Sequence, residues 1–282
     1  MKIKEHDKIA LITGASHGIG LELTRRLLSE GFQVIALNRS GFPEEDALIR
    51  ESLERRRLRV HRADLSDFES LKRALGAIKA SEEKIDVLFN NAGGSAPELT
   101  FSRQGRELHF ELQTVAPYVI AMELRELLRK GALKTIVNTS TAAFDMTKRF
   151  DPDALERPAS FKQLFGPYAT SKLALSLWTR EVAPLLEGEG IKIRSVDPGA
   201  NNTLRKGKRS GLPFFVQALM RFFFPPPTQG ASRLYEAAFG ASRDLSGVYL
   251  RKDRARDLPF REHGPRVLEK VRSIHEREFA AL

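Results

Sequence analysis

Tyr168 and Lys172 stand four residues apart at the head of the apolar stretch 173–186. On a helix that spacing puts both side chains on one face and lets an ammonium sit near a phenol. A free tyrosine, with a pKa near 10, is a poor proton carrier at neutral pH. Lowering it by about 3 units takes roughly 4 kcal/mol from neighbouring positive charge, and Lys172 is one source. A phenol so tuned gives a proton to a carbonyl oxygen as hydride arrives at its carbon, and takes it back in reverse. The spacing alone is common, so its meaning depends on what accompanies it.

One companion is Thr13-Gly14-Ala15-Ser16-His17-Gly18-Ile19-Gly20, which follows the apolar run 9–12 and leads into Leu21, Leu23, Leu27 and Leu28. Glycines between a strand and a helix let the backbone turn sharply and approach a dinucleotide's pyrophosphate. The opening turn of the helix adds unpaired N–H groups and a positive dipole end. Another companion is Asn38-Arg39-Ser40, where Asn38 lies about 20 residues past the last glycine, the place at which the second strand ends and reads the adenosine ribose. A carboxylate there accepts from a 2′-hydroxyl and repels a 2′-phosphate. Asn38 with Arg39 does neither, and a guanidinium suits a phosphate. His17 adds a second candidate donor. These residues point to NADP(H) over NAD(H), and oxidised nicotinamide is then a further positive charge beside Tyr168.

Bringing these residues together requires particular elements. Strand-like and helix-like segments alternate along the chain, which predicts right-handed crossovers and an α/β fold: one doubly wound, Rossmann-type parallel sheet with helices on both faces, spanning 1–282 as a single domain. Strands are expected at 9–12, 32–37, 58–62, 86–89, 134–138, 191–196 and 247–250. Ligands of such a sheet lie along its carboxyl edge. That edge receives the glycine turn, Asp64, Asn91-Ala92-Gly93, Ser140-Thr141 and Asp197-Pro198-Gly199. Asp64 is placed to accept from the adenine amino group, while Asp67 or Ser66 suits the cap of the next helix. Small residues at 91–93 let backbone approach the cofactor. The helical pattern 104–130 contains Pro117, which predicts a kink. Residues 142–167 form a polar insertion of a length typical of functional or disordered loops. Residues 200–227 read as a substrate lid, Thr228 as the cap of a helix reaching Phe239, and 265–282 as a helical tail.

Taken together, the chain resembles the short-chain dehydrogenase/reductase family over essentially its whole length. The matching motifs are Thr13-Gly14-x-x-x-Gly18-Ile19-Gly20, Asp64-Leu65, Asn90-Asn91-Ala92-Gly93, Tyr168-x-x-x-Lys172 and Pro198-Gly199 with Thr203 beyond. The resemblance implies that Tyr168 is the acid/base and that Lys172 holds the nicotinamide ribose and lowers the Tyr168 pKa. It implies that Pro198, Gly199 and Thr203 position the nicotinamide amide. A hydroxyl after strand five orients the substrate oxygen in this family, usually the second serine of a pair; in that register Thr141 acts and Ser140 is its neighbour. Two departures stand out: Gln113, where the family usually has an asparagine supporting a water relay to the lysine, and Asn201, where an apolar residue commonly packs near the nicotinamide. They motivate a rival reading as a non-catalytic NADP-binding regulatory or scaffold protein. The long insertion, Gly230-Ala231, Ser246-Gly247-Val248-Tyr249 and the C-terminal helix look most like the retinol dehydrogenase-like branch. That implies an apolar aldehyde, ketone or alcohol as substrate, with Phe144, Phe161, Phe165, Phe214 and Phe215 as candidate pocket lining. Homodimers or homotetramers are implied by resemblance only.

The bulk composition bounds the alternatives. Hydrophobic residues at 41% and charged residues at 29% describe an ordinary globular chain rather than a disordered one. No run reaches the roughly 20 apolar residues of a spanning helix, so an integral membrane segment is not expected. No room for a signal peptide precedes the first strand, and the absence of cysteine excludes disulfides, thiolate metal sites and a cysteine nucleophile. A cytoplasmic setting without a metal is the resulting expectation. The net charge of +10 raises the question of nucleic acid, but the basic residues are dispersed apart from Arg55-Arg56-Arg57 and the cluster from Arg205 to Arg209. A solvated basic surface with no nucleic-acid partner is the favoured reading. The second cluster, in the lid, leaves room for an acidic substrate or for peripheral contact with a membrane surface.

Overall fold

The computed structural model describes residues 8–202 and 224–282. Thr203, Arg205 to Arg209, Phe214 and Phe215, and with them most of the expected lid, lie outside the described residues. Eight strands form one sheet: β1 (Ile9–Thr13), β2 (Gln33–Asn38), β3 (Leu58–Arg62), β4 (Val87–Asn90), β5 (Thr135–Thr139), β6 (Lys192–Asp197), β7 (Val248–Arg251) and β8 (Arg254–Arg256). Their order is β3-β2-β1-β4-β5-β6-β7-β8, parallel from β3 through β7. The winding reverses between β1 and β4, and the crevice that this opens at the carboxyl ends is where α/β sheets hold ligands. The short, exposed β8 pairs antiparallel with β7, an edge that the sequence pattern did not suggest.

Alternation along each strand decides which layer a side chain joins. Ile9 and Leu11 of β1 face one core, with α3 (Phe68–Ser81), the helical run through 108–130, α7 (Pro167–Glu187) and α9 (Gly264–Ile274). Ala10 and Ile12 face the other, with α1 (Gly18–Ser29), α2 (Ala47–Glu54) and α8 (Pro227–Phe239). Fully buried strands such as β1 and β5 are covered on both faces, as a parallel sheet demands.

The middle helical run departs from its expectation. It opens as α4 (Leu108–Phe110), widens into a π turn over Glu111–Val115, and resumes as α5 (Ala116–Glu123) and α6 (Arg125–Lys130). Pro117 lacks the N–H that the carbonyl of residue 113 would take in an α-helix. The irregularity therefore falls one turn before the proline, where the Ala116 amide donates to Glu111 O. Thr228 does not cap α8 either. The helix starts at Pro227, with Pro226 in the cap position and no side-chain cap bond, because proline at the first helical position needs no amide partner. Asp67 does cap α3, accepting from the amides of Glu69 and Ser70.

The insertion 142–167 is ordered by its own apolar residues. Phe144, Phe150 and Leu155 are buried, and Phe144 packs against Tyr249 with ring centroids 5.1 Å apart. Phe144 thus belongs to the core and does not line a pocket. The tail is helical as expected, continuing beyond α9 into a π turn, His275–Phe279, whose Phe279 meets Phe68 edge-on. The Arg55 to Arg57 cluster sits at the amino edge of the sheet, away from the crevice. Arg55 pairs with Glu51, and Arg57 donates to Leu28 O and Ser52 Oγ. Among the described residues no helix is long and apolar enough to cross a membrane.

Candidate active site

The glycine turn is built by close approach. Gly14 at φ +66° and Gly18 at φ +53° are left-handed, which glycine adopts without strain. A Cβ on Gly14 would lie 3.0 Å from Ala92 Cα, and one on Gly20 only 2.2 Å from Gly14 O. Thr13 holds this packing: its hydroxyl accepts from the amides of Asn91 and Ala92, each at 2.9 Å. Asn91 Nδ2 donates back to Thr13 O and Gly14 O. The sequence places Thr13 at the head of the glycine motif but assigns it no role, although a polar residue closing an apolar strand just before a glycine is the available signal. α1 begins with no acidic residue in its first turn and no side-chain cap bond from His17. Side chains therefore leave its opening amides available to an anion.

At the end of β2, Asn38 turns its side chain inward. The residue is buried, and its Oδ1 accepts from the Ala15 amide at 2.7 Å. Asn38 therefore fastens the glycine turn, while its buried Nδ2 has no partner among the described residues. Arg39 stands outside with 78% of its side chain exposed, 3.8 Å from Asp64 Oδ2. Ser16 Oγ lies 2.9 Å from His17 Nδ1 and 3.4 Å from Ser40 Oγ, so these polar groups gather beside Arg39. Asp64 commits its Oδ1 to the Ser66 amide and hydroxyl, which leaves only Oδ2 for an adenine amino group. Leu65 is buried in the core. A cradle that admits only glycine, an orphaned buried amide beside it and a guanidinium at its outer end fit a dinucleotide.

The chemistry-bearing side chains converge at the ends of β5 and β6. Ser140 turns away from the crevice: its Oγ lies 2.7 Å from Ser176 Oγ and also contacts Lys172 O. Thr141 lies beside Tyr168, close enough for its hydroxyl to pull the phenol pKa down, and it accepts from the Ala143 amide at 3.2 Å. Tyr249 OH donates to Thr141 O at 3.2 Å and so fixes the segment from the β7 side. Tyr168 and Lys172 occupy the first two turns of α7, on one face as the spacing predicted.

Their electrostatics differ from expectation. Burial pushes the Tyr168 phenol up, the Thr141 hydroxyl pulls it down, and the Asp197 carboxylate pushes it up again, for a net rise. Lys172 is not among the groups acting on it. Burial brings the Lys172 ammonium down to about 7, and its Nζ donates to Thr139 O at 2.6 Å.

Both departures from the family pattern have structural explanations. Gln113 is buried in the π turn, its Oε1 3.4 Å from the Gly94 amide and its Nε2 without a partner. A Cβ on Gly93 would lie 2.6 Å from that Oε1 and 3.3 Å from Lys172 Nζ. The longer amide thus fills the space between the loop after β4 and the lysine. Asn201 is also buried. Its Nδ2 donates to Pro198 O and Gly199 O, and its Oδ1 accepts from the Gly230 amide at 2.9 Å. It joins the turn after β6 to the start of α8. One further wall went unnoticed in the sequence: His109 lies edge-on to Tyr168 at 6.0 Å and stacked with Phe161 at 6.4 Å. It is held by Glu107 at 2.6 Å and by the Ala96 amide. A lone histidine in a helical pattern carries no signal of such a place.

The family model for short chain dehydrogenases matches residues 8–150. Retinol dehydrogenase 12 of Mus musculus is 32% identical over 247 residues, covering 86% of this chain and 77% of its own. Polyprenol dehydrogenase of Danio rerio is 28% identical, covering 95% and 85%. Among solved structures, a blue fluorescent protein from a metagenomic library in complex with NADPH gives a TM-score of 0.65 at 23% identity over 88% of this chain and 96% of its own. The 3-alpha-hydroxysteroid dehydrogenase from Pseudomonas sp. B-0831 complexed with NADH gives 0.65 at 20% over 86% and 94%. At those identities the structural likeness is one of fold.

Proposed function

The chain belongs to the short-chain dehydrogenase family, in its retinol dehydrogenase-like branch, and from that premise we propose an NADP(H)-dependent oxidoreductase acting on the carbonyl or alcohol carbon of an apolar substrate. The observation that carries this reading is the juxtaposition of the Thr141 hydroxyl and the Tyr168 phenol, one helical turn from Lys172 at the same sheet edge as the glycine cradle. Gly14, Ser16, Gly18, Ile19 and Gly20 would hold the dinucleotide's middle, Asp64, Leu65, Asn91, Ala92 and Gly93 its adenine side and approach, and Lys172, Pro198 and Gly199 its nicotinamide half. Thr203 joins the last group by resemblance. When bound, the cofactor supplies or takes the hydride.

The chain's own groups handle the oxygen and the proton. Thr141 orients and polarises the substrate oxygen, and Tyr168 gives that oxygen its proton or takes it back. A phenol pushed up by burial stays protonated at neutral pH, which suits donation to a carbonyl. In the opposite direction Tyr168 must be deprotonated to take the proton of the substrate hydroxyl, which a positive charge bound beside it would favour. The apolar preference rests on the contiguous wall of Phe161, His109 and Tyr168. The preference for a 2′-phosphate rests on Arg39, exposed at the end of β2 beside Ser16, His17 and Ser40.

The test is oxidation of NADPH and NADH by purified protein with a panel of apolar aldehydes and ketones. NADPH is expected to give the higher kcat/KM, and Arg39→Ala to lower it about tenfold with little change for NADH. NADH used better than NADPH would contradict the assignment of Arg39. Binding of NADPH without oxidation by any member of the panel would favour the regulatory or scaffold reading instead.

A further inference from the structure

Arg233 of α8 is a cation that the fold places at the crevice with no anionic partner among the described residues. No ion pair or hydrogen bond of its guanidinium is formed with the described residues, yet the group is held close against backbone. A Cβ on Gly199 would lie 1.9 Å from Arg233 Nη1 and 2.9 Å from its Cζ. Gly199 also sits at φ +77°, so the turn after β6 is bare and left-handed where the guanidinium rests on it.

The direction of the side chain follows from helix geometry. α8 starts at Pro227 near the carboxyl edge of the sheet, and helical side chains lean back toward their helix's N-terminus. Arg233, nearly two turns in, thus returns its charge to the edge at Gly199. One turn earlier on the same face lies Gly230, where a Cβ would come 2.8 Å from Ile19 Cδ1 and 2.9 Å from Asn201. Ile19 stands in the first turn of α1, the turn whose amides are open to an anion. The guanidinium therefore rests on the turn after β6, on a helix whose preceding turn packs against the first turn of α1, and the Asn201 bonds to Pro198, Gly199 and Gly230 keep those parts in register. The nearest carboxylate on β6, Asp197, is directed elsewhere: its Oδ1 accepts from the Gly199 amide and its Oδ2 lies 3.8 Å from Arg251.

We infer that Arg233 is a specificity-determining residue that pairs with the diphosphate of the bound dinucleotide, across the crevice from the first turn of α1. The inference rests on the dinucleotide-binding reading above. A diphosphate on α1 amides alone is bound by partial charges, and a full cation opposite it shifts the balance from any nucleotide toward a dinucleotide whose linker reaches Gly199. Nothing in the pattern of a helix that packs on α1 would call for an arginine at this position, since its neighbours Leu234, Ala237 and Ala238 are buried apolar residues.

Equilibrium binding to the full chain tests it, read by calorimetry with three ligands: NADP+, adenosine diphosphoribose 2′-phosphate, which keeps the diphosphate but lacks nicotinamide, and adenosine 2′-monophosphate, which lacks both. Arg233→Leu is expected to weaken the first two at least tenfold and leave the third within twofold, with Arg233→Lys intermediate. Circular dichroism and an unchanged third ligand verify that the variant is folded. Equal weakening of all three, weakening of NADP+ alone, or no weakening would each overturn the inference. Failure of the wild-type chain to bind NADP+ at all would instead overturn the functional reading on which it rests.

Discussion

Lys172 has an environment that opposes its charge: burial holds its pKa at about 7 against an ordinary 10.5. Between those values the unfolded chain keeps a proton that the folded chain has released, so this residue makes stability rise with pH through that window. Below it the fold carries the full cost of a buried ammonium, up to roughly 5 kcal/mol. Urea unfolding of wild type and Lys172→Met is therefore expected to show a difference that moves in favour of the variant as pH falls from about 10 to about 6. A difference independent of pH would contradict the burial argument. The two hydroxyls after β5 separate in the same manner. Thr141→Val is expected to lower kcat about 10- to 100-fold, because it removes the hydroxyl that stands beside the Tyr168 phenol. Ser140→Ala should keep turnover within about threefold and cost about 1 kcal/mol in an unfolding titration, since its partner Ser176 still donates to Lys172 O. The reverse ranking would exchange their roles.

Between elements, the contact that decides the site's shape is α8 on α1. Gly230 lets the helices approach so closely that a methyl group there meets Ile19 and Asn201 within 3 Å. Gly230→Ala is expected to destabilise by about 1–3 kcal/mol and to weaken NADP+ binding, measured by urea midpoint and calorimetric titration; an unchanged midpoint would mean that the contact is soft. The elements also show what a sequence reveals. The seven parallel strands were legible from the sequence and the edge strand β8 was not, but the expected ends of β2, β4, β5 and β6 stop one residue short. Each of these strands closes on a buried polar residue, Asn38, Asn90, Thr139 or Asp197. The backbone ladder continues regardless of side chain, and hydropathy cannot see the polar residue that carries it into the site. The glycine cradle and the Tyr168–Lys172 face were readable because local spacing determines them. The inward turn of Asn38 to Ala15, the Asn201 bridge to Gly230 and the burial of Phe144 against Tyr249 were not, since each depends on a partner distant in sequence. Pro117 announced an irregular helix but not that the π turn would precede it and bury Gln113.

For the whole molecule, the doubly wound sheet places the described candidate groups along one carboxyl edge, and the rest of the described chain supports them. The C-terminal tail shows this best. Arg106 is buried between Glu111 of the π turn and Glu278 of the tail, and Phe279 fills the space against Phe68. The tail thus braces the helical run that carries Gln113 and His109 to the crevice. The basic surface that gives the chain its charge lies partly at the opposite edge, where Arg55 and Arg57 serve local contacts. One claim unites these observations, namely that Tyr168 exchanges a proton with substrate oxygen beside a bound dinucleotide. The direct measurement is single-turnover oxidation of NADPH by Tyr168→Phe, with cofactor affinity determined on the same preparation. The variant is expected to bind NADPH as wild type does and to lose turnover about 100-fold or more; wild-type turnover at unchanged affinity would contradict the account.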